Sequence, residues 1–127
     1  MDIAIAGQHA DTIIAEEVAR QDKMWGVSNE RADANSGQLL AAGTSQALAL
    51  IQKRLSGPSA FDSPPAIYPP DWSGFRDYGS DVANIAVAAA FLRQEMKRLI
   101  AAGATVERTP RNPTAQPYTG DQPAVQL

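Results

Sequence analysis

From Ser80 to Ala102 the chain runs without a glycine or proline, bounded by Gly79 and Gly103. Ser80 is a favoured N-cap residue and Asp81 complements the positive end of a helix dipole, so this stretch predicts a helix over 80–102. Val82, Ile85, Ala89, Leu92, Met96 and Leu99 follow alternating steps of three and four, the spacing of a helix–helix seam. Ala83, Ala86, Val87, Ala88, Ala90 and Phe91 make the flank apolar as well, leaving the first three turns almost without a polar side. A helix of that kind must be covered on several faces. A homo-oligomer, with small residues allowing close helix approach, is one way to do it; a long loop folded over the helix within one chain is the other.

Two further helices are expected upstream. From about His9 to Trp25, Ile14, Val18 and Trp25 form an apolar stripe, with Ile13 and Glu17 marking its edges, and Gly26 ends the run. Asn35-Ser36-Gly37-Gln38 reads as an N-cap with a glutamine three residues on, opening a helix that continues to about Leu55. Leu40, Thr44, Ala47, Leu48, Ile51 and Leu55 share one of its faces, Lys53 and Arg54 favour its C-terminal dipole, and Ser56-Gly57-Pro58 stops it. The expected fold is therefore mainly α: a small three-helix domain over residues 1–108 with a long Pro- and aromatic-rich loop. Residues 109–127, with Pro110, Pro113, Pro117 and Pro123 and few large apolar groups, read as a flexible tail or an arm laid on a neighbouring subunit.

Composition narrows the chemistry. A chain of 127 residues is long enough for one hydrophobic core, and it has no cysteine, which removes thiolate chemistry and disulfides. The N-terminus lacks a positively charged leader and the longest apolar run falls short of a membrane span, so cytoplasmic residence without a membrane partner is expected. A net charge of −3 argues against a nucleic-acid polymer as partner. Residues 1–92 carry net −5 and residues 93–127 net +2, the latter through Arg93, Lys97, Arg98, Arg108 and Arg111. A modest basic region on an acidic chain suits a small phosphorylated ligand, although a solvated helix end accounts for it equally well.

The loop from Ser56 to Gly79 concentrates five of the nine prolines and the aromatic residues Phe61, Tyr68, Trp72, Phe75 and Tyr78. Aromatic density of this order argues for an ordered segment, and prolines at 64, 65, 69 and 70 stiffen the backbone that carries the rings. Where it enters the third helix, Trp72 or Phe75 can stack on a base, Arg76 can pair with a phosphate, and Asn84 can bond a base edge or ribose, with helix N-terminal amides nearby unless Ser80 and Asp81 occupy them. The competing expectation is that the rings plug the core against Trp25 and that Arg76 pairs with Asp71 or Asp77.

Catalytic chemistry is hard to assemble from these residues. Glu16 and Glu17 diverge around their helix, the second helix has no acid between Asn35 and Leu55, and Asp81 and Glu95 are about four turns apart. The single histidine, His9, has no evident nucleophile to serve, and neither Gly74 nor Gly79 belongs to a phosphate-binding loop motif. No catalytic residue, metal or cofactor is therefore expected.

Two resemblances bear on function. Glu17-Val18-Ala19-Arg20-Gln21-Asp22-Lys23-Met24-Trp25-Gly26, with Ser36-Gly37-Gln38-Leu39-Leu40-Ala41-Ala42, resembles small phage proteins, some of them described as MazG-like nucleotide pyrophosphohydrolases, but the chain departs from the active pattern at every metal carboxylate. Over roughly residues 17–111 the chain is also similar to the first phage anti-Thoeris family, small cytoplasmic oligomers that sequester cyclic nucleotide immune signals without cleaving them. That similarity implies a homo-oligomer binding a cyclic ADP-ribose-type molecule or a cyclic oligonucleotide. It implies Phe75 and Asn84 as ligand contacts and Arg108 and Arg111, in Glu107-Arg108-Thr109-Pro110-Arg111, as phosphate contacts. The expected ligand site is thus Trp72, Phe75, Arg76, Tyr78, Asn84, Arg108, Thr109 and Arg111. A phage structural or assembly protein, whose Ala-rich helix packs in an oligomer, is the alternative.

Overall fold

The computed structural model describes residues 1–25 and 37–106, apart from the Trp25 side chain. Among the described residues there are three α-helices, α1 (Ile3–Trp25), α2 (Gln38–Ser56) and α3 (Asp81–Ala101), with a short 3-10 turn at Pro58–Phe61. The expected arm at 109–127 and the candidate residues Arg108, Thr109 and Arg111 lie outside the described residues.

The ends of the helices follow local chemistry. Ser80 caps α3 with its hydroxyl accepting from the Ala83 amide at 3.1 Å. Gly57, at φ 95°, closes α2 by donating its N–H to the Lys53 carbonyl, and Pro58 then begins the 3-10 turn. Two starts differ from expectation. Helix α1 begins at Ile3, not near His9, because the Asp2 carboxylate accepts from the amides of Ala4 (2.8 Å) and Ile5 (3.3 Å). Helix α2 begins at Gln38 behind left-handed Gly37, and the expected cap residues Asn35 and Ser36 lie outside the described residues.

Helix α3 is central: α2 packs on one side of it and the C-terminal half of α1 on another, while α1 and α2 do not pack on each other among the described residues. Helices α2 and α3 run antiparallel and come close at Gly43, where a Cβ would stand 3.0 Å from the Ala88 carbonyl oxygen and 3.1 Å from the Phe91 Cβ. The core follows from that approach. Leu39, Ala42, Ala49 and Leu50 of α2 and Ala86, Val87, Ala88, Ala90 and Phe91 of α3 are buried. These are the small and flanking positions. The α3 seam points the other way, with Val82 57%, Ile85 49%, Leu92 41%, Met96 60% and Leu99 44% exposed. On α2, Leu40, Thr44, Ala47, Leu48, Ile51 and Leu55 do share a face, and it too is exposed.

Polar side chains complete the interior. Gln21, Gln46, Asn84 and Gln94 are essentially inaccessible. Gln94 donates to Asp22 at 3.0 Å, tying α1 to α3, and Lys97 approaches the same carboxylate at 3.5 Å. At the other end of the pair, Arg54 and Lys53 at the C-terminus of α2 meet Asp81 at 3.3 and 3.9 Å. No described helix is long and apolar enough to cross a membrane.

Candidate functional site

The aromatic loop folds inward onto α2 and α3. Tyr68 is buried with Leu39, Ala42, Val87 and Phe91, and Trp72, Phe75 and Tyr78 pack against that cluster. The rings contact one another in sequence: Phe61 stacks on Phe75 at 5.7 Å between centroids, Tyr68 meets Phe75 edge-on at 5.5 Å, and Trp72 tilts over Phe91 at 6.0 Å. Pairs of this kind contribute about 0.5–1.5 kcal/mol each beyond area burial. Burial pushes the Tyr68 phenol above its ordinary pKa. The competing expectation, rings plugging the core, describes their placement, with Phe91 and Tyr68 as partners; the Trp25 contact lies outside the described side chains.

Asn84 anchors the loop to α3. Its Oδ1 accepts from Gln46 Nε2 (2.9 Å) and from the Tyr78 amide (2.9 Å), and its Nδ2 donates to Asp77 Oδ1 (3.0 Å). Gln46 also donates to the Arg76 carbonyl at 2.8 Å. With the residue fully inaccessible, this amide is spent inside the fold, away from any surface ligand. The same polar cluster holds the Asp77 carboxyl below its ordinary pKa, first through the bond from Asn84, then through the Gly79 amide and Lys53. Two amides around the start of α3 are likewise occupied: Ala83 N–H goes to Ser80, and Gly79 N–H to Asp77 at 2.9 Å. Ser80 and Asp77 thus take two of the donors that an anion at this end of α3 would use.

What remains at the surface is a different constellation. Tyr78, its hydroxyl donating to the Gly74 carbonyl at 2.7 Å, has the Arg20 guanidinium carbon 5.6 Å and the Arg76 guanidinium carbon 5.9 Å from its ring centroid. Arg20, on α1, is paired with Glu17, whose bond is the leading cause of its raised pKa. Arg76 donates to the Ser73 carbonyl at 3.3 Å and has no carboxylate partner among the described residues; neither Asp71 nor Asp77 takes it, the latter pairing with Lys53 at 3.3 Å. Two guanidiniums against one electron-rich ring, one of them without a carboxylate partner among the described residues, form a surface that favours an anion.

The structure thus gathers Trp72, Phe75, Arg76, Tyr78 and Asn84 in one region, with Arg76 exposed, Tyr78 half-buried between the core and the two guanidiniums, and the others serving the core. Arg20 and Gln46 are the participants the sequence did not single out for this region. Arg20 carries no local mark, since Glu17 three residues earlier makes it read as a surface ion pair. Elsewhere, a groove of about 370 Å³ between α1 and α3 is lined by Ile14 and Val18 with Asp11, Asp22 and Arg93 at its walls. Among the described residues, no three His, Cys, Asp or Glu side chains come together as a metal site. Set against family models, curated proteins and solved structures, the chain matches none.

Proposed function

We propose that the protein is a non-catalytic, homo-oligomeric cytoplasmic binding protein that holds a small anionic ligand with a planar ring, of the cyclic nucleotide or ADP-ribose class, and leaves it intact. The observation that carries this reading is the Arg20–Tyr78–Arg76 surface, where Arg76 has no carboxylate partner among the described residues. A phosphate would take the Arg76 fork and a base or ribose would lie along Tyr78. The resemblance to the anti-Thoeris family supports the ligand class and the outcome of binding, sequestration of an immune signal during phage infection. Arg108 and Arg111 are the further phosphate contacts it implies, with Thr109 between them in the expected site.

A thermal-shift screen with cyclic ADP-ribose isomers and cyclic oligonucleotides tests the reading, because a ligand of the folded state raises apparent stability. The ligand should be recovered unchanged after the protein is denatured. Hydrolysed product in the presence of magnesium would replace this reading with the pyrophosphohydrolase one. A second reading, a phage structural or assembly protein, is favoured by a separate observation: the outward apolar faces of α2 and α3.

A further inference from the structure

The cations around the Tyr78 ring differ in what they can still offer a ligand. Arg20 is paired fork to fork with Glu17 within α1: its Nε donates to one carboxylate oxygen at 2.8 Å and its Nη2 to the other. The remaining terminal nitrogen of Arg20, Nη1, reaches the Met24 sulfur at 3.0 Å. Glu17 is held where it stands, since its side chain is only 13% exposed and also accepts from the buried Gln21 at 3.4 Å. Asp77, beside Tyr78 in the chain, is matched by Lys53. Among these described residues Arg76 alone has a guanidinium without a carboxylate, and its one hydrogen bond runs from Nη2 to the Ser73 carbonyl.

We infer that Glu17 sets the specificity of this surface, making it select a singly charged phosphodiester over a terminal phosphate or a pyrophosphate. The inference rests on the anion-binding reading above and narrows its ligand class. Glu17 acts through Arg20: it takes the Nε–Nη2 edge that would grip a phosphate at two points, and it cancels the charge. One open fork, on Arg76, and one uncompensated cation match one phosphate with one charge. A terminal phosphate carries about −1.5 to −2 at pH 7. Its second charge would meet the Glu17 carboxylate with no cation left to answer it.

Adenosine 5′-phosphate and its phosphate methyl ester provide the test, because they share base and sugar and differ chiefly in charge at about pH 7.5. In an NMR titration of the full-length protein, the methyl ester should bind about fivefold more tightly although it carries less charge, the scale of one exposed charge pair. Glu17→Gln keeps an acceptor for Gln21 and removes the charge. It should abolish or reverse that order with helical circular dichroism unchanged; should the variant fail to fold, the wild-type order alone decides. Equal affinity, tighter binding of adenosine 5′-phosphate, or an unchanged order in folded Glu17→Gln would overturn the inference. A protein that binds cyclic ADP-ribose or a cyclic oligonucleotide but neither probe would also overturn it, and would leave the ligand-binding reading standing. Binding of none of these compounds would end both.

Discussion

Asn84 shows how one amide determines what the loop can do. Its three bonds hold the Gln46 side chain, the Tyr78 amide and the Asp77 carboxylate together, so the residue that resembles a base-reading asparagine serves as the loop's anchor. Asn84→Ala leaves the Tyr78 amide without its acceptor and Gln46 with only the Arg76 carbonyl, and the cost expected in urea denaturation is about 2–4 kcal/mol. Asp77 carries a pH dependence. Its pKa is lowered in the fold, so the stability it contributes is present above about pH 4, the ordinary carboxylate value, and is lost as pH falls through the lower folded value. Urea midpoints measured from pH 5 downward should fall in the wild type and fall less in Asp77→Asn. Arg76 is exposed and holds a single weak bond to Ser73, so Arg76→Ala should change stability by about 0.5 kcal/mol or less.

Among the elements, the pairing of α2 with α3 depends most on a missing side chain. Gly43→Ala would gain about 1 kcal/mol of helix propensity, but the new methyl meets the Ala88 carbonyl oxygen at 3.0 Å, a backbone atom with little freedom to move. A net loss of about 1–2 kcal/mol is expected by thermal or urea unfolding. Features with a local cause were legible in the sequence: the Ser80 cap, the stop at Gly57-Pro58 and the extent of α3 all follow from neighbouring residues. The start of α1 was less so, since its cap, Asp2, sits beside the chain start and Gly7 interrupts the pattern that follows. Heptad stripes on α2 and α3 were visible too, but period alone does not say which side of a helix faces its own domain. That choice is made by Gly43 and by the rings of a loop distant in sequence, which turn the small-residue face inward. Arg20 beside Tyr78 is a tertiary juxtaposition of the same kind and leaves no trace in local spacing.

At the scale of the whole molecule, the prolines and rings of the loop are spent on closing a polar three-helix core that small side chains alone would fill poorly. Consequently, the loop leaves a rim of Tyr78 and Arg76, joined by Arg20 from α1, and α2 and α3 keep an exposed apolar face. Calorimetric titration of cyclic ADP-ribose and cyclic oligonucleotides into the wild type and into Arg76→Ala tests the functional claim most directly. The account predicts saturable binding of at least one of these ligands by the wild type, and affinity at least tenfold weaker in the variant at unchanged melting temperature. No binding by the wild type, or equal affinity in the two proteins, would contradict it.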